Sequence, residues 1–568
     1  MTRVLEIVLA LPLPSGGAPA PRRRGTARAV RDFGMELVRA WRICPPVRMK
    51  RGHERFAVRP LALAEAVPKA AGWCAWREAG PAGGRVAAAR VQAFAPGVAI
   101  RERLDAPATI AEAAAGNAAA EGDDAVTAAV RQALDVGTVP LFEIEAGQAA
   151  ATPVLDAPPP DAGESPAEAP RVTLPFGFDC ERRRGRWQRD DGVPVDLTLD
   201  DLSWTTPTGT GRTCELRLAV ADPGDAEGRA LALHALFDAA RELSGAWPAF
   251  LKPASLVDLA CAGVLPDADT GPARAEVPAL HGIRSQREAL FVLGANVAAQ
   301  WLGNDAGVRD SGDPEFVHQM RVGLRRLRTL MRLFRDFADD AYREAFAADL
   351  AWLGAQLGVV RDWDVCVSET LPKLRDADPD LAGEPGWAAT LDAAGRQRDI
   401  ARGDLRQAVA SARYARLVLG WVEWLCLLSL RDGEGESRGQ RRSLKRHVVK
   451  RVDKLFARLY TVPKLTTLDP EARHRVRIDA KRLRYALEFF ASIAARSTRG
   501  KLVKTLSRVQ GTLGDANDAE VALHHLERLS APPEQLGFAR GYGAAAQRYA
   551  AAAAEAELRE LRRPRIRG

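Results

Sequence analysis

The chain has 568 residues, 47% of them hydrophobic and 27% charged, which excludes both a single small domain and a wholly disordered polymer. Its net charge of +8 is unevenly placed: residues 281–568 carry 49 lysines and arginines against 37 acids, and residues 1–280 carry 32 against 36. The densest segment, 438–508, holds 21 basic residues against 5 acidic ones, a field that draws nucleic acid, anionic lipid or phosphate polymers.

The N-terminus, MTRVLEIVLALPLPSGGAPA, has the outline of a signal peptide, but Glu6 interrupts its apolar run and a single arginine precedes it. The seven cysteines are scattered without a C-x-x-C pair, which argues against a disulfide framework or a zinc site and suits a reducing cytoplasm. The other long apolar run, LVLGWVEWLCLLSL at 417–430, is short for a membrane span and contains Glu423. The expectation is a soluble cytoplasmic protein with no membrane contact.

Residues 1–262 read as a β domain. VLEIVLAL, FDCERRRGRW, VDLTLDDLSW and CELRLAV have β-branched or alternating character, and RALALHALFDAARELSG (229–245) is an amphipathic helix. PLPSGGAPAPRRRGT near the start and TPVLDAPPPDAGESPAEAP (152–170) are too rich in proline, alanine and polar residues to fold, so the second is a disordered insert. Residues 263–282 form a linker, after which strand signals stop. Long helical periodicity then runs over 283–560, broken by LRDGEGESRGQ (430–440), and a basic tail occupies 561–568. The expected fold class is multidomain α+β.

The helical half repeats itself. DPEFVHQMRVGLRRLR (313–328) recurs as DPEARHRVRIDAKRLR (469–484), and LGVVRDWDV (357–365) as LGDANDAEV (513–521), both at an offset of 156. This marks a duplicated helical unit, with repeat one at about 283–430 and repeat two at about 437–560. In each copy Asp supplies an N-cap acceptor and Pro takes the first helical position, where no donor is lost.

Within the first copy His318, Arg321, Arg325, Arg328, Arg332 and Arg335 step by three and four. They share one face over roughly 25 Å at 1.5 Å per residue. Met320, Leu324, Leu327, Met331 and Phe334 form a neighbouring stripe that faces a core, and Arg326 falls on neither. The second copy keeps His474, Arg477, Lys481 and Arg484, then places Glu488 where Arg332 stood. Like charges at i,i+4 cost an isolated helix about 0.2–0.5 kcal/mol per pair. A basic face without acids therefore points to a ligand that neutralises it, and guanidinium forks suit phosphate oxygens. A solvated basic face is the alternative. If the two bundles pack as symmetric halves, the stripes line one groove.

The duplicated DPEFVHQMRVGLRRLR segment with LGVVRDWDV resembles the CHAD family, the conserved histidine α-helical domain, over about residues 283–560. The resemblance implies two pseudo-symmetric four-helix bundles that bind inorganic polyphosphate in a basic groove. The binding positions it implies are His318, Arg321, Arg325, Arg328 and Arg332 in the first copy and His474, Arg477, Lys481 and Arg484 in the second. Lys445, Arg446 and Lys450 on RRSLKRHVVKRVDK join them on charge alone. Packing histidines are the alternative for His318 and His474. Asp362 and Asp364, with Asn517, Asp518 and Glu520 at the equivalent places, are read as orienting arginines rather than holding a metal.

The N-terminal half is similar, more weakly, to the CYTH family, an antiparallel β-barrel tunnel that cleaves triphosphates with a divalent metal. LEIVLAL sits where that family has an E-x-E-x-K strand, yet only Glu6 remains, with Val8 and Ala10 in the other places. In CELRLAV, Glu215 remains while Arg217 stands where a second acid is expected. Holding a metal on a triphosphate takes clustered carboxylates, so residues 1–262 are read as a diverged, inactive barrel. The expectation is a polyphosphate-binding protein with no catalytic residue, cofactor or metal, which could associate with polyphosphate granules. An active triphosphatase fed by the helical module is the first alternative. Nucleic-acid binding is the second, disfavoured because few aromatic residues lie among the basic ones.

Overall fold

The computed structural model describes residues 2–12, 47–50, 53–61, 73–80, 83–107, 177–190, 192–206, 209–262, 264, 271–378 and 385–567. The unstructured readings at 13–26 and 152–170 lie outside the described residues. The chain divides into two compact units, Met1–Asp269 and Thr270–Gly568. Among the described residues no helix is long and apolar enough to cross a membrane.

The first unit is an antiparallel β-barrel. Its strands are β1 (Thr2–Leu11), β2 (Val47–Met49), β3 (Glu54–Leu61), β4 (Trp73–Gly80), β5 (Gly83–Ala95), β6 (Val98–Pro107), β7 (Phe178–Trp187), β8 (Val195–Thr206) and β9 (Gly209–Ala221), followed by α1 (Ala226–Ala246), β10 (Phe250–Lys252) and α2 (Leu256–Cys261). Hydrogen bonding runs β1-β6-β5-β4-β3-β7-β8-β9 and closes because β1 also pairs with β9. β10 continues the edge of β1 beyond β6, and β2 does the same for β7 beyond β3.

Alternation along the strands sorts the two faces. Leu5, Ile7 and Leu9 of β1 and Leu216 and Leu218 of β9 are fully buried, and α1 packs over these strands with Leu233, Leu236, Phe237 and Ala240. The register sets Glu6, Val8 and Ala10 beside Ala219, Arg217 and Glu215 on the opposite, inner face. One part of the interior is apolar: Leu256, Val257 and Ala260 of α2 pack with Val58, Trp76, Phe178, Cys180 and Leu202.

The second unit is all helical. The first repeat contributes α3 (Gln286–Gly303), the short α4 (Asp305–Asp310), α5 (Pro314–Leu333), α6 (Asp340–Val365), a π-helical turn (Cys366–Thr370), α7 (Leu371–Asp376), α8 (Pro385–Val409) and α9 (Ala412–Leu430). The second contributes α10 (Leu444–Tyr460), α11 (Pro470–Phe489), α12 (Val503–Arg528) and α13 (Pro533–Arg559). Packing follows the same order in both, α3 on α5 on α6 on α8 and α10 on α11 on α12 on α13. The first bundle adds α9 against α3, α6 and α8. The bundles meet where α5 touches α11 and α6 touches α12. Residues 561–567 are tied down by main-chain bonds, Arg567 N–H to Ile493 O at 2.7 Å and Ala495 N–H to Arg565 O at 2.9 Å.

α5 starts where its sequence says. The Asp313 carboxylate accepts the Glu315 amide at 2.8 Å, and Asp469 accepts Ala472 at 2.7 Å at the head of α11. Met320, Leu324, Leu327, Met331 and Phe334 are all buried. Arg326, on neither stripe, is only 1% exposed. Its guanidinium donates to Gln300 Oε1 at 2.6 Å and Asn296 Oδ1 at 2.8 Å, and lies 5.0 Å over the Phe489 ring. One side chain thus fastens α5 to α3 within its own bundle and to α11 across the seam. Arg326→Leu leaves two acceptors without a donor and should weaken this unit by about 2–4 kcal/mol. Hydrogen exchange of the α5 amides in the full-length protein would show it as faster opening of α5 and α11 together.

Candidate functional site

The basic stripes face each other across the seam between the bundles. α5, α6, α11 and α12 enclose a cleft of about 280 Å³ lined by His318, Arg321, Arg325 and Arg361 from the first repeat and by Arg477, Lys481, Arg484 and Gln510 from the second. Asp362 and Asp518, equivalent across the repeat, are its acids, and Val322, Val365 and Tyr485 supply apolar wall. Five arginines and Lys481 therefore face two carboxylates across one cleft.

The two halves make matching contacts. The Nη2 atoms of Arg321 and Arg477 each lie 3.7 Å from the place a Cβ would occupy on Gly358 and Gly514, one turn along α6 and α12. Arg321 Nη2 is 3.8 Å from Asp362 Oδ1, a loose ion pair. The Nε atoms of Arg321 and Arg477 are buried and donate to nothing. A buried N–H without an acceptor costs about 1–3 kcal/mol, and the equivalent pair Arg326 and Arg482 carries the same unanswered Nε outside the cleft.

Electrostatics report the same crowding. Burial, then Arg325, Arg477 and Arg321, push the Lys481 ammonium from 10.5 down to about 6. Burial, then Arg361, lowers His318 below the usual imidazole value, so its ring is neutral at pH 7. Burial and neighbouring guanidiniums also lower Arg321 and Arg477, which remain charged. Burial raises Asp362 and Asp518 against the pull of Arg321 and Arg477 respectively.

Of the residues expected from the sequence, His318, Arg321, Arg325, Arg477, Lys481 and Arg484 are brought together here. Arg328 lies outside the cleft, its Nη2 donating to Leu350 O at 2.6 Å. Arg332 and His474 are exposed on α5 and α11, and Lys445, Arg446 and Lys450 are exposed on α10; none lines the cleft. Charge periodicity missed Arg361 and Gln510. Arg361 sat beside Asp362 in the second echo, where it could have been found; Gln510, an uncharged residue inside α12, gave no signal. The aspartates act as read: Asp362 faces Arg321, and buried Asp364 takes Arg402 at 2.6 Å. At the equivalent place Glu520 accepts the Gln547 amide at 3.4 Å.

The barrel interior is a second concentration of charge, and its members pair with one another. Glu6 receives Arg101 at 3.0 Å and Arg217 at 3.3 Å, and Arg101 also reaches Asp258 of α2 at 2.6 Å. Arg182 grips Asp200 with two nitrogens at 2.6 and 2.8 Å and touches Glu78 at 3.3 Å. Burial alone would raise Asp200, yet Arg182 holds it below the usual carboxylate range. Glu215 takes the Lys252 ammonium and the Leu256 amide. Glu6, Glu78, Asp200 and Glu215 are each answered by a cation of the same domain. Among the described residues no group of three or more His, Cys, Asp or Glu side chains is placed to hold a metal ion.

Comparison with known proteins agrees with the helical architecture. A family model described as the CHAD domain matches residues 293–527. The chain is similar to the crystal structure of the CHAD domain from the plant Ricinus communis, with 32% identity, 52% of this chain and 100% of that one covered, and a TM-score of 0.45. It is also similar to PptA from Streptomyces chartreusis, at 18% identity, 49% and 98% coverage and a TM-score of 0.36. A third structure, HpAC1 from Hippeastrum, described with a dominant triphosphatase activity, shows 13% identity, 46% and 98% coverage and a TM-score of 0.24. No curated protein matches. With the family match falling on the duplicated helices and a CHAD domain aligned over its whole length, this chain belongs to the CHAD domain family through its C-terminal unit.

Proposed function

We propose that the C-terminal unit binds inorganic polyphosphate in the cleft between its two bundles. The observation that carries this is the convergence of Arg321, Arg325 and Arg361 with Arg477, Lys481 and Arg484 on one cavity, with two buried guanidinium N–H groups unanswered. Phosphate oxygens are acceptors only, one charge follows another along the chain, and guanidinium forks take them in pairs. The lining favours a bare phosphate chain over nucleic acid, whose bases need exposed aromatic faces: Tyr485, the aromatic residue of the lining, is itself buried. The barrel is not assigned the chemistry of a triphosphatase, since its inner carboxylates are already held by arginines and a lysine. Association with polyphosphate granules follows from the same reading.

At fixed salt, long-chain polyphosphate should displace a labelled polyphosphate probe from the purified full-length protein at concentrations where DNA and RNA of equal phosphate content do not. Equal competition by either nucleic acid would overturn the assignment. Binding should fall as salt rises, by analogy with counterion release at nucleic acid.

Binding should also take up protons. The Lys481 ammonium is lowered to about 6 in the free cleft, so above that pH the amine is mostly neutral, and an incoming polyanion raises its affinity for a proton. Affinity should therefore weaken as pH rises above about 6, by up to about tenfold per unit while free Lys481 is neutral and bound Lys481 charged. Lys481→Arg, charged throughout, should flatten that slope and remove most of the proton uptake measured calorimetrically in buffers of different ionisation enthalpy. An unchanged slope in the variant would show that Lys481 does not meet the ligand.

A further inference from the structure

The two halves of the cleft are not equivalent, and one of the differences between them decides where an arginine of the repeat goes. The offset of 156 that pairs Arg328 with Arg484 also pairs Gly354 of α6 with Gln510 of α12. In the first half the Arg328 guanidinium lies flat across Gly354. A Cβ there would collide with it, standing 2.9 Å from Cζ, and Nη2 reaches past to Leu350 O at 2.6 Å. That carbonyl is one helical turn back and already accepts the Gly354 amide within α6. The glycine thus opens a shelf on which the arginine is stowed against the backbone, outside the cleft.

In the second half a side chain fills the shelf. Gln510 is 8% exposed, and its Oε1 accepts Arg484 Nε–H at 3.1 Å. Glu488 receives Arg484 Nη1 at 2.5 Å, and both Arg484 and Gln510 line the cleft. Since Arg484 only donates, it takes the amide oxygen and leaves the amide nitrogen as the free end. That nitrogen is buried and has no partner. An unanswered amide donor on a residue of the cleft wall offers an acceptor-rich ligand a contact of the same kind as the guanidiniums around it.

We propose that Gln510 is a ligand-binding and positioning residue: its oxygen holds Arg484 in the cleft while its NH₂ donates to a phosphate oxygen, and Gly354 withholds Arg328 from the corresponding place. The proposal rests on the cleft being a polyphosphate site, and it assigns the second repeat a contact that the first lacks.

Gln510→Gly should let Arg484 fall back toward Leu506 O, the counterpart of Leu350 O, and weaken polyphosphate binding about tenfold, the size of one charge-assisted hydrogen bond. Gln510→Ala, a better helix former, should weaken it similarly while its methyl group keeps Arg484 off the shelf. Gly354→Gln should evict Arg328 into the cleft and tighten binding about tenfold, and the Gly354→Gln, Gln510→Gly double variant should return near the wild-type value. A ligand-free readout separates the layers: phenylglyoxal labelling of the full-length protein, followed by peptide mass spectrometry. Arg328 should become more reactive in Gly354→Gln, and Arg484 less reactive in Gln510→Gly but not in Gln510→Ala. Unchanged labelling overturns the stowage; changed labelling with unchanged affinity overturns the ligand role of Gln510. A wild-type protein that labels as described but does not bind polyphosphate would instead remove the functional reading beneath both.

Discussion

The constraint on which the helical unit turns is the packing of like charges, partly desolvated by burial, around one cleft. Six cations share a cleft of about 280 Å³ with two carboxylates, and the ammonium of Lys481 is already driven toward its neutral form. Attractive interactions elsewhere must hold this arrangement in place. They come from the seam behind it, where Arg326 donates through both Nη atoms to Gln300 and Asn296 and is covered by Phe489, and from the leucine and methionine stripe of α5. The repulsion persists because the helices that present it are fixed by their other faces.

Duplication supplies the geometry. A single helix with a basic stripe presents cations to solvent, where they are screened and of little consequence. Two copies related by the repeat bring equivalent arginines from opposite sides, so Arg321 and Arg477 each set a guanidinium against a glycine of the next helix and leave an Nε–H unanswered. The barrel solves its charge problem in the opposite way. There each buried acid meets a base of the same domain, as Glu6 meets Arg101 and Arg217 and Asp200 meets Arg182. One unit holds an excess of cations and the other is internally matched.

Much of this was legible from the residues. The repeat, the capping Asp-Pro pairs, the two stripes of α5 and the β character of the first half follow from periodicity, which tertiary packing only confirms. Phase on a helix could not settle which cations enter the cleft. Arg328 and Arg484 have the same phase, and what separates them is a glycine or a glutamine on another helix together with Glu488, which stands where the first copy has Arg332. Arg326 read as an arginine out of register because the amides and the ring that make its burial tolerable come from α3 and α11. The closure of the barrel was expected from the family resemblance and not from periodicity, because it depends on β1 pairing with β9, at a sequence separation of about two hundred residues. The residues flanking Glu6 along its strand are apolar, and its partners Arg101 and Arg217 arrive from two other strands.

The claim at the centre is that the two repeats build one site and not two. Isothermal titration of the full-length protein with a short polyphosphate, small enough to sit within the cleft, measures this most directly. The account predicts one chain bound per protein. It also predicts that Arg321→Glu with Arg325→Glu, and separately Arg477→Glu with Lys481→Glu, each weaken that binding by about a hundredfold or more. Two chains bound per protein, with each double variant losing one of them and leaving the other at full affinity, would contradict it.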